Sequence, residues 1–202
     1  LGPLQLGVDL RPSHLDLTFG DVGGLERNFF MNADVLAAFQ KDGWTFYSEI
    51  GRQIEGDDSN IASYEHWVSY QAENGVGIRA GRFLPAYGVR FADHTMFNRT
   101  VMDLTQYDQI YGVEVSLATD RSLVQVSAGP GRADSIIDDD GGDAVTVSGR
   151  VQLDVTPRTA IVASGLFQGT SDKAARSSAG GIALGFAPTA RLTTWTSLDA
   201  RF

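Results

Sequence analysis

The chain has 202 residues, a formal net charge of −9 and no cysteine. This length fits one large domain, and the acidic balance argues against a nucleic-acid partner. The lack of cysteine excludes disulfides and thiolate metal sites. No run of about 18 apolar residues is present, so no transmembrane helix is expected. We expect a single domain over residues 1–202 that needs no metal ion or other cofactor.

Apolar and polar residues alternate along most of the chain, which predicts about twelve β-strands. The predicted strands cover residues 4–10, 14–20, 28–40, 44–52, 62–72, 76–84, 111–118, 123–129, 144–155, 159–168, 179–187 and 191–202. The pattern is clearest from Val145 to Val155, where every second residue is apolar or glycine and the residues between are polar. Such a strand has one apolar face and one wet face.

The connections between these strands predict the architecture. Short connections are expected at 11–13, 41–43, 73–75, 119–122, 156–158 and 187–190, and longer ones at 21–27, 53–61, 85–110, 130–143 and 169–178. Short periplasmic turns that alternate with long extracellular loops are typical of bacterial outer-membrane barrels. The predicted fold is therefore all-β, a transmembrane antiparallel up-and-down β-barrel surrounded by lipid bilayer and lipopolysaccharide. A soluble barrel or sandwich is the alternative.

The two ends of the pattern are harder to place in this scheme. Phe202 resembles the terminal aromatic residue of outer-membrane proteins, which lies in the periplasm. The strand count instead places both ends on the long-loop side. Either the residues are a fragment of a larger barrel, which we favour, or the long connections are periplasmic. No charged and apolar leader pattern is visible, so any signal peptide is expected to have been removed.

The longest connection follows a strand that ends in a recognisable motif. The motif consists of Gly81, Phe83, Pro85, Tyr87 and Gly88. This pattern resembles the phosphate-selective porin O and P type family. The resemblance covers about twenty residues, and it implies a trimeric or monomeric outer-membrane channel whose third long loop folds into the pore. The basic ladder of that family is not evident here.

Charged side chains in the loop and on the inward positions are the candidate pore-lining residues, because charge is costly at lipid depth. In and beside the loop 85–109 they are Arg82, Arg90, Asp93 and Arg99. On the strands they are Glu49, Glu65, Arg79, Glu114, Arg150 and Asp154. An excess of acid in a wet lumen favours cations. The alternatives are a loop that only packs against the wall and an interior plugged by paired charges.

Other residue patterns do not predict a metal site or a catalytic site. The acidic run 134–143 does not have calcium-loop spacing, and the three histidines lack metal-ligand spacing. No nucleophile elbow is present, so the chain is not expected to be an enzyme. Aromatic residues near strand ends predict interfacial girdles on the lipid side. They are Trp44, Tyr64, Tyr70, Tyr111 and Phe202, whereas Trp67 and Trp195 point inward by parity.

These patterns lead to one functional prediction and one alternative. The prediction is an outer-membrane, porin-like channel for passive diffusion of small hydrophilic solutes or ions, with the loop 85–109 as its constriction. The alternative is a structural barrel that acts as a scaffold or sheath and holds a partner protein in an outer-membrane assembly. A homo-oligomer is compatible with either.

Overall fold

A computed structural model describes residues 2–18, 24–55, 58–89, 109–130, 145–169, 176–189 and 192–201. They form eleven antiparallel strands in one sheet, each paired with the next in chain order. The strands are β1 (Leu4–Thr18), β2 (Gly24–Lys41), β3 (Trp44–Glu55), β4 (Asp58–Gln71), β5 (Val76–Phe83), β6 (Ile110–Ala118), β7 (Ser122–Pro130), β8 (Val145–Thr156), β9 (Thr159–Gly169), β10 (Arg176–Thr189) and β11 (Leu192–Arg201). No helix in this part of the chain is long and apolar enough to cross a membrane.

The predicted first turn at 11–13 is wrong, because β1 continues through it. The two strands predicted at 4–10 and 14–20 are one strand, with a register shift between Arg11 and Pro12. Proline lacks the N–H that a ladder needs, but it is tolerated at a bulge or in an edge strand. β1 pairs only with β2 in the described sheet. The described residues therefore form eleven strands rather than the twelve that were predicted.

The predicted long loop at 53–61 is also wrong, because β3 and β4 extend into it. Their ladder continues to the pair formed by Glu55 and Asp58. The polar sequence there resembles a loop, yet backbone pairing does not require apolar side chains. The strands that flank the other four long connections, residues 19–23, 84–109, 131–144 and 170–175, end and begin at the same edge of the sheet. We call this the long-loop edge and the opposite one the short-turn edge.

Tight turns join the strands at the short-turn edge. The β2–β3 turn contains Asp42 and Gly43 with φ values of 51° and 81°, which is the left-handed pair that an Asp-Gly hairpin turn requires. Pro3 accepts a 2.8 Å hydrogen bond from the amide of Gln40 beside this turn. β1 therefore begins at the short-turn edge, whereas β11 runs towards the long-loop edge. The prediction that both ends lie on the long-loop side is wrong, because it counted β1 as two strands.

The sheet has two chemically different faces, as the alternation predicts. Large apolar side chains are exposed on one face, with Leu6 74% and Leu198 80% exposed, and we call it the apolar face. The register keeps this face continuous across strands, as in the row that joins Leu4 to Phe39 and then to Phe46. The opposite face, the polar face, carries buried polar side chains such as Glu114.

Tyr64 departs from the predicted pattern. The register between β3 and β4 shifts after the pair formed by Glu49 and Glu65, so that Ile50 pairs with Ser63 and Tyr64 is the extra residue. Tyr64 is only 4% exposed and its ring lies against Gly51 on the polar face. The prediction that it belongs to an outward girdle is wrong, because the bulge reverses its direction.

Candidate functional site

The polar face gathers most of the charged residues that the alternation assigns to the inside. Arg79 pairs in register with Glu114, and Glu49 pairs with Glu65. Arg150 lies opposite Gln125 on the neighbouring strand. These groups come from strands β3 to β8. Because successive residues of a strand point to opposite faces, local alternation places them on one face, and the register of the sheet brings them side by side.

Hydrogen bonds connect the charges of β5 to β8 into one row, which we call the polar ladder. Its members are Arg79, Glu114, Gln125, Arg150, Gln152 and Asp154. The Arg79 guanidinium donates to Glu114 at 2.8 Å. Gln125 donates to Glu114 at 3.0 Å and accepts from Arg150 at 3.0 Å. Arg79 is paired directly with the Glu114 carboxylate, whereas Arg150 donates to the neutral side chains of Gln125 and Gln152 on either side of it.

The second half of the polar ladder points to the short-turn edge. Arg150 donates to Gln152 at 2.7 Å, and Gln152 donates to Asp154 at 3.1 Å. The ladder therefore runs from the half-buried wall to an exposed carboxylate. Sequence reasoning named the charged members as pore-lining and placed Gln152 on the same face, but it listed neither glutamine as a candidate site residue. Their inward parity on β7 and β8 was the available signal.

Aromatic side chains donate hydrogen bonds to the two facing glutamates on β3 and β4. Tyr47 donates to Glu49 at 2.8 Å, and the Trp67 indole donates to Glu65 at 3.0 Å. The two rings stack with centroids 5.0 Å apart. Like charges directly opposite in a ladder are destabilising, and these two bonds offset part of that repulsion. The guanidinium of Arg79 lies 5.3 Å from the Trp67 ring and connects this group to the polar ladder.

The chain leaves the wall after β5 and crosses the polar face as what we call the bridging segment, residues 84–89. Gly88 has a φ of 58°, a conformation that favours glycine, and Pro85 cannot donate to a ladder. The Leu84 amide donates to Glu65 at 3.3 Å, and the Ala86 amide donates to Ser127 at 3.1 Å. Ala86 is fully buried.

The bridging segment continues to the far side of the sheet. The Tyr87 hydroxyl donates to Asp199 on β11 at 3.1 Å. The Tyr87 ring packs against Leu166 on β9 and Ala179 on β10. Burial and the nearby Asp199 carboxylate raise the pKa of the Tyr87 phenol above its ordinary value, so this donor keeps its proton at neutral pH. Loop 85–109 was predicted to fold inward, and its first residues lie over the polar face.

These contacts require the sheet to be strongly curved. The three residue steps from Leu84 to Tyr87 span at most about 11 Å. The six strand-to-strand steps from β5 to β11 would measure about 29 Å in a flat sheet. The difference between these two lengths is too large for one tyrosine side chain and its hydrogen bond to Asp199 to span. The polar face is therefore the concave side, and β5 and β11 face each other across it.

A cavity of about 620 Å³ opens on the concave side near the short-turn edge. Its lining includes Gln152 and Asp154 of the polar ladder, Arg158 of a turn and Trp195 of β11. Gly185 provides the space for the Trp195 ring, because a Cβ there would lie only 2.6 Å from its atoms. The polar ladder therefore ends in an open space with both positive and negative groups.

Arg82 is not part of this concave face. The register aligns it with His66 on β4 and Tyr111 on β6, which lie on the apolar face. The prediction placed Arg82 with the inward charges, although its separation of three residues from Arg79 already implied the opposite face. The remaining three predicted pore residues, Arg90, Asp93 and Arg99, lie outside the described residues. So do residues 134–143 and Phe202.

Arg82 belongs to a small cluster at the long-loop edge of the apolar face. Its guanidinium lies 5.9 Å from the Tyr111 ring, and the His66 and Tyr111 rings are 5.4 Å apart. Ser63 and His66 Nδ1 are within hydrogen-bond distance at 2.9 Å. A serine nucleophile needs a third group that orients its histidine. No described carboxylate or amide holds the other ring nitrogen of His66, so this pair is not a complete triad.

Comparison with known proteins gives no relative from which to transfer a role. No protein-family model matches the chain, and no curated protein sequence matches it. Within the described ranges, no group of three histidine, aspartate or glutamate side chains is placed to hold a metal ion. A role for the site must therefore be argued from its own geometry, in which the bridging segment crosses a concave polar face.

Proposed function

We propose that the chain forms the wall of a transmembrane β-barrel in the outer membrane of a Gram-negative bacterium. The observation that carries this proposal is the continuous apolar face. Each of the strands β1 to β11 exposes at least one large aliphatic side chain. Soluble monomers rarely expose apolar patches larger than a few hundred Å². Lipid would cover this face without a second protein layer, and the concave polar face would enclose the lumen.

The curvature of the sheet supports closure into a barrel. The described sheet has two edge strands, β1 and β11, and both run from the short-turn edge to the long-loop edge. Direct pairing between them would form a parallel seam. Antiparallel closure would need an odd number of further strands, in agreement with the even strand numbers of single-chain bacterial barrels. A fragment of a larger barrel therefore stays a prediction.

As the activity of this barrel, we propose passive diffusion of small hydrophilic solutes or ions. The resemblance of Gly81 to Gly88 to the porin O and P type family supports this activity, and so does the inward course of the bridging segment. The constriction would be formed by the loop 85–109 together with the polar ladder. The excess of acid favours cations. Planar-bilayer recording tests the channel, with discrete ohmic steps expected from the purified protein.

A scaffold that holds a partner protein is the second candidate. The observation that favours it is that side chains occupy the space over the polar face. Ala86 and Tyr87 are buried there, and the members of the polar ladder bond to one another. A plugged interior of this kind conducts nothing. Electrical silence of correctly inserted protein would support the scaffold and contradict the channel.

Membrane insertion has its own test, which does not depend on conduction. Single cysteines at positions 145, 147, 151, 153 and 155 should react with a lipid-soluble probe, and cysteines at positions 146, 148, 150, 152 and 154 should not. The odd positions carry exposed valines and leucine, whereas Thr146 and Ser148 are buried on the polar face. Equal labelling of both sets would contradict the barrel in a membrane.

The role of the loop has a separate test. Replacing Arg90 and Arg99 with alanine would remove positive charge from the proposed constriction. Cation preference should then rise, and the change should fade at high salt because screening shortens the reach of the field. Unchanged conductance and selectivity in the double variant would show that the loop is not the constriction.

A further inference from the structure

The cluster around Arg82 places a cation on a face that is otherwise apolar. Arg82 makes one side-chain hydrogen bond to Gln109, at a long 3.4 Å. Within the described part of the chain it forms no ion pair, and its Nε is buried without a hydrogen-bond partner. An arginine in such surroundings is costly unless an anion compensates it.

Two more side chains that can donate hydrogen bonds lie beside Arg82. His66 lies beside Arg82 in the pairing register, and Tyr111 lies on the other side of Arg82. When the Ser63 hydroxyl donates to Nδ1 of His66, the proton of the ring is on Nε2, which is then a donor. The guanidinium, the imidazole and the phenol thus lie together, with the His66 and Tyr111 rings 5.4 Å apart and the guanidinium carbon of Arg82 5.9 Å from the Tyr111 ring. This combination suits an anion with several acceptor oxygens.

The position of the cluster along the wall indicates where that anion comes from. β5 has eight residues and β6 has nine, at or below the nine to eleven that a membrane-crossing strand needs. Where the strands are this short, the membrane surface lies close to the strand ends. Arg82 is the penultimate residue of β5, and Tyr111 is the second residue of β6. On β5 and β6 the cluster lies at the strand ends, while β4 continues eight residues beyond His66 to Asp58. We take the ends of β5 and β6 as the local membrane surface, which places the cluster at the depth of lipid headgroups.

From this placement we infer that Arg82, His66 and Tyr111 form an external binding site for the phosphate of a lipid headgroup. The inference rests on the proposed membrane location but not on conduction. Arg82 would form the charge-assisted contacts with the phosphate oxygens, and Tyr111 would support the guanidinium through its ring face. Bound lipid would supply the anion that the described residues do not.

The test uses purified full-length chain and one lipid pair. Phosphatidic acid and diacylglycerol with the same acyl chains differ only in the phosphate, and native mass spectrometry measures how much of each is retained. Wild type should retain phosphatidic acid much more strongly than diacylglycerol. Arg82→Gln should weaken that retention by at least about tenfold, which is the effect of losing hydrogen bonds to a charged group. Lys41→Gln, at the exposed end of β2 on the opposite edge, is the control and should change nothing.

Two gentler variants serve if Arg82→Gln does not fold by circular dichroism. Arg82→Lys keeps the charge but loses the planar fork, and Tyr111→Phe keeps the ring but loses the hydroxyl. Each should weaken retention several-fold without altering the fold. Equal retention by wild type and all folded variants would overturn the site.

Other outcomes identify a different occupant. If inorganic phosphate displaces phosphatidic acid at equal concentration, the site takes a free anion and the lipid assignment is wrong. If Arg82→Gln changes the oligomeric mass but not lipid retention, a second copy covers the cluster and the inference fails. Flotation of wild type with phosphatidylcholine vesicles is recorded first. Failure to float overturns the membrane wall and this site together, whereas flotation with equal retention of both lipids overturns only the site.

Discussion

The hydrogen bond between Tyr87 and Asp199 joins the bridging segment to β11, and its removal should measure how strongly the segment holds the curved sheet. Tyr87→Phe removes the hydroxyl but keeps the ring against Leu166 and Ala179. A hydrogen bond to a charged group contributes roughly 1.5–3 kcal/mol. We expect the free energy of unfolding to fall by about 2 kcal/mol. Tyr87→Ala also loses the packed ring and should cost about 3–5 kcal/mol.

Equilibrium unfolding by denaturant in detergent or lipid, followed by tryptophan fluorescence, measures these changes. A double-mutant cycle with Asp199→Asn isolates the pair, and we expect a coupling energy of about 0.5–3 kcal/mol. Tyr70→Phe is the control, because Tyr70 packs against Trp44 on the apolar face and is remote from the bridging segment. A coupling energy near zero would refute the view that this bond holds the two sides together.

The same bond has a defined pH dependence. The pKa of Tyr87 is raised in the folded protein, by burial first and by Asp199 second. Its contribution to stability is therefore complete below the unfolded value of about 10 and is lost as the pH rises through the folded pKa. The stability difference between wild type and Tyr87→Phe should be constant from pH 7 to 9 and should shrink above pH 10. A difference that grows in alkali would contradict this assignment.

Three further predictions concern the wall and its extent. Arg79→Gln should reduce the free energy of unfolding by about 3–5 kcal/mol, because it leaves Glu114 buried without its cation, and adding Glu114→Gln should recover part of that loss. Gly185→Ala should displace the Trp195 ring and change the near-ultraviolet circular dichroism, because the added Cβ would overlap the indole. Mass spectrometry of the intact native protein should give a mass above 21.7 kDa if further strands complete the barrel.

Each of these has a matched comparison. The Arg11–Asp9 pair on β1 is only half-buried and should contribute at most about 1 kcal/mol, so a similar loss there would show that burial is not the cause. Gly149→Ala should be tolerated, since the nearest atom to its Cβ would be 3.7 Å away. An intact mass of only 21.7 kDa would refute the fragment. A closed barrel would then need parallel pairing of β1 with β11.

Local sequence was sufficient to predict most strands and their two faces. Period-two alternation is a property of neighbouring residues, so Val145 to Val155 identifies its own strand and both of its faces. The same reasoning placed Arg79, Glu114 and Arg150 on one face before any pairing was known. It failed at Pro12 and Tyr64, because a bulge depends on the partner strand and leaves no local periodicity. It also predicted the ends of β3 and β4 too early, because residues 53–61 are polar and backbone pairing continues without apolar side chains.

Only the tertiary structure decided what crosses the concave face. Tyr87 and Asp199 are 112 residues apart, and no local pattern relates them. Their contact exists because the sheet curves until β5 and β11 face each other, and curvature accumulates over many strand pairs. The same holds for Ser127 on β7, whose hydroxyl accepts a hydrogen bond from the amide of Ala86 in the bridging segment. The sequence by itself determined which side chains share a face, and the folded sheet determined which of them meet.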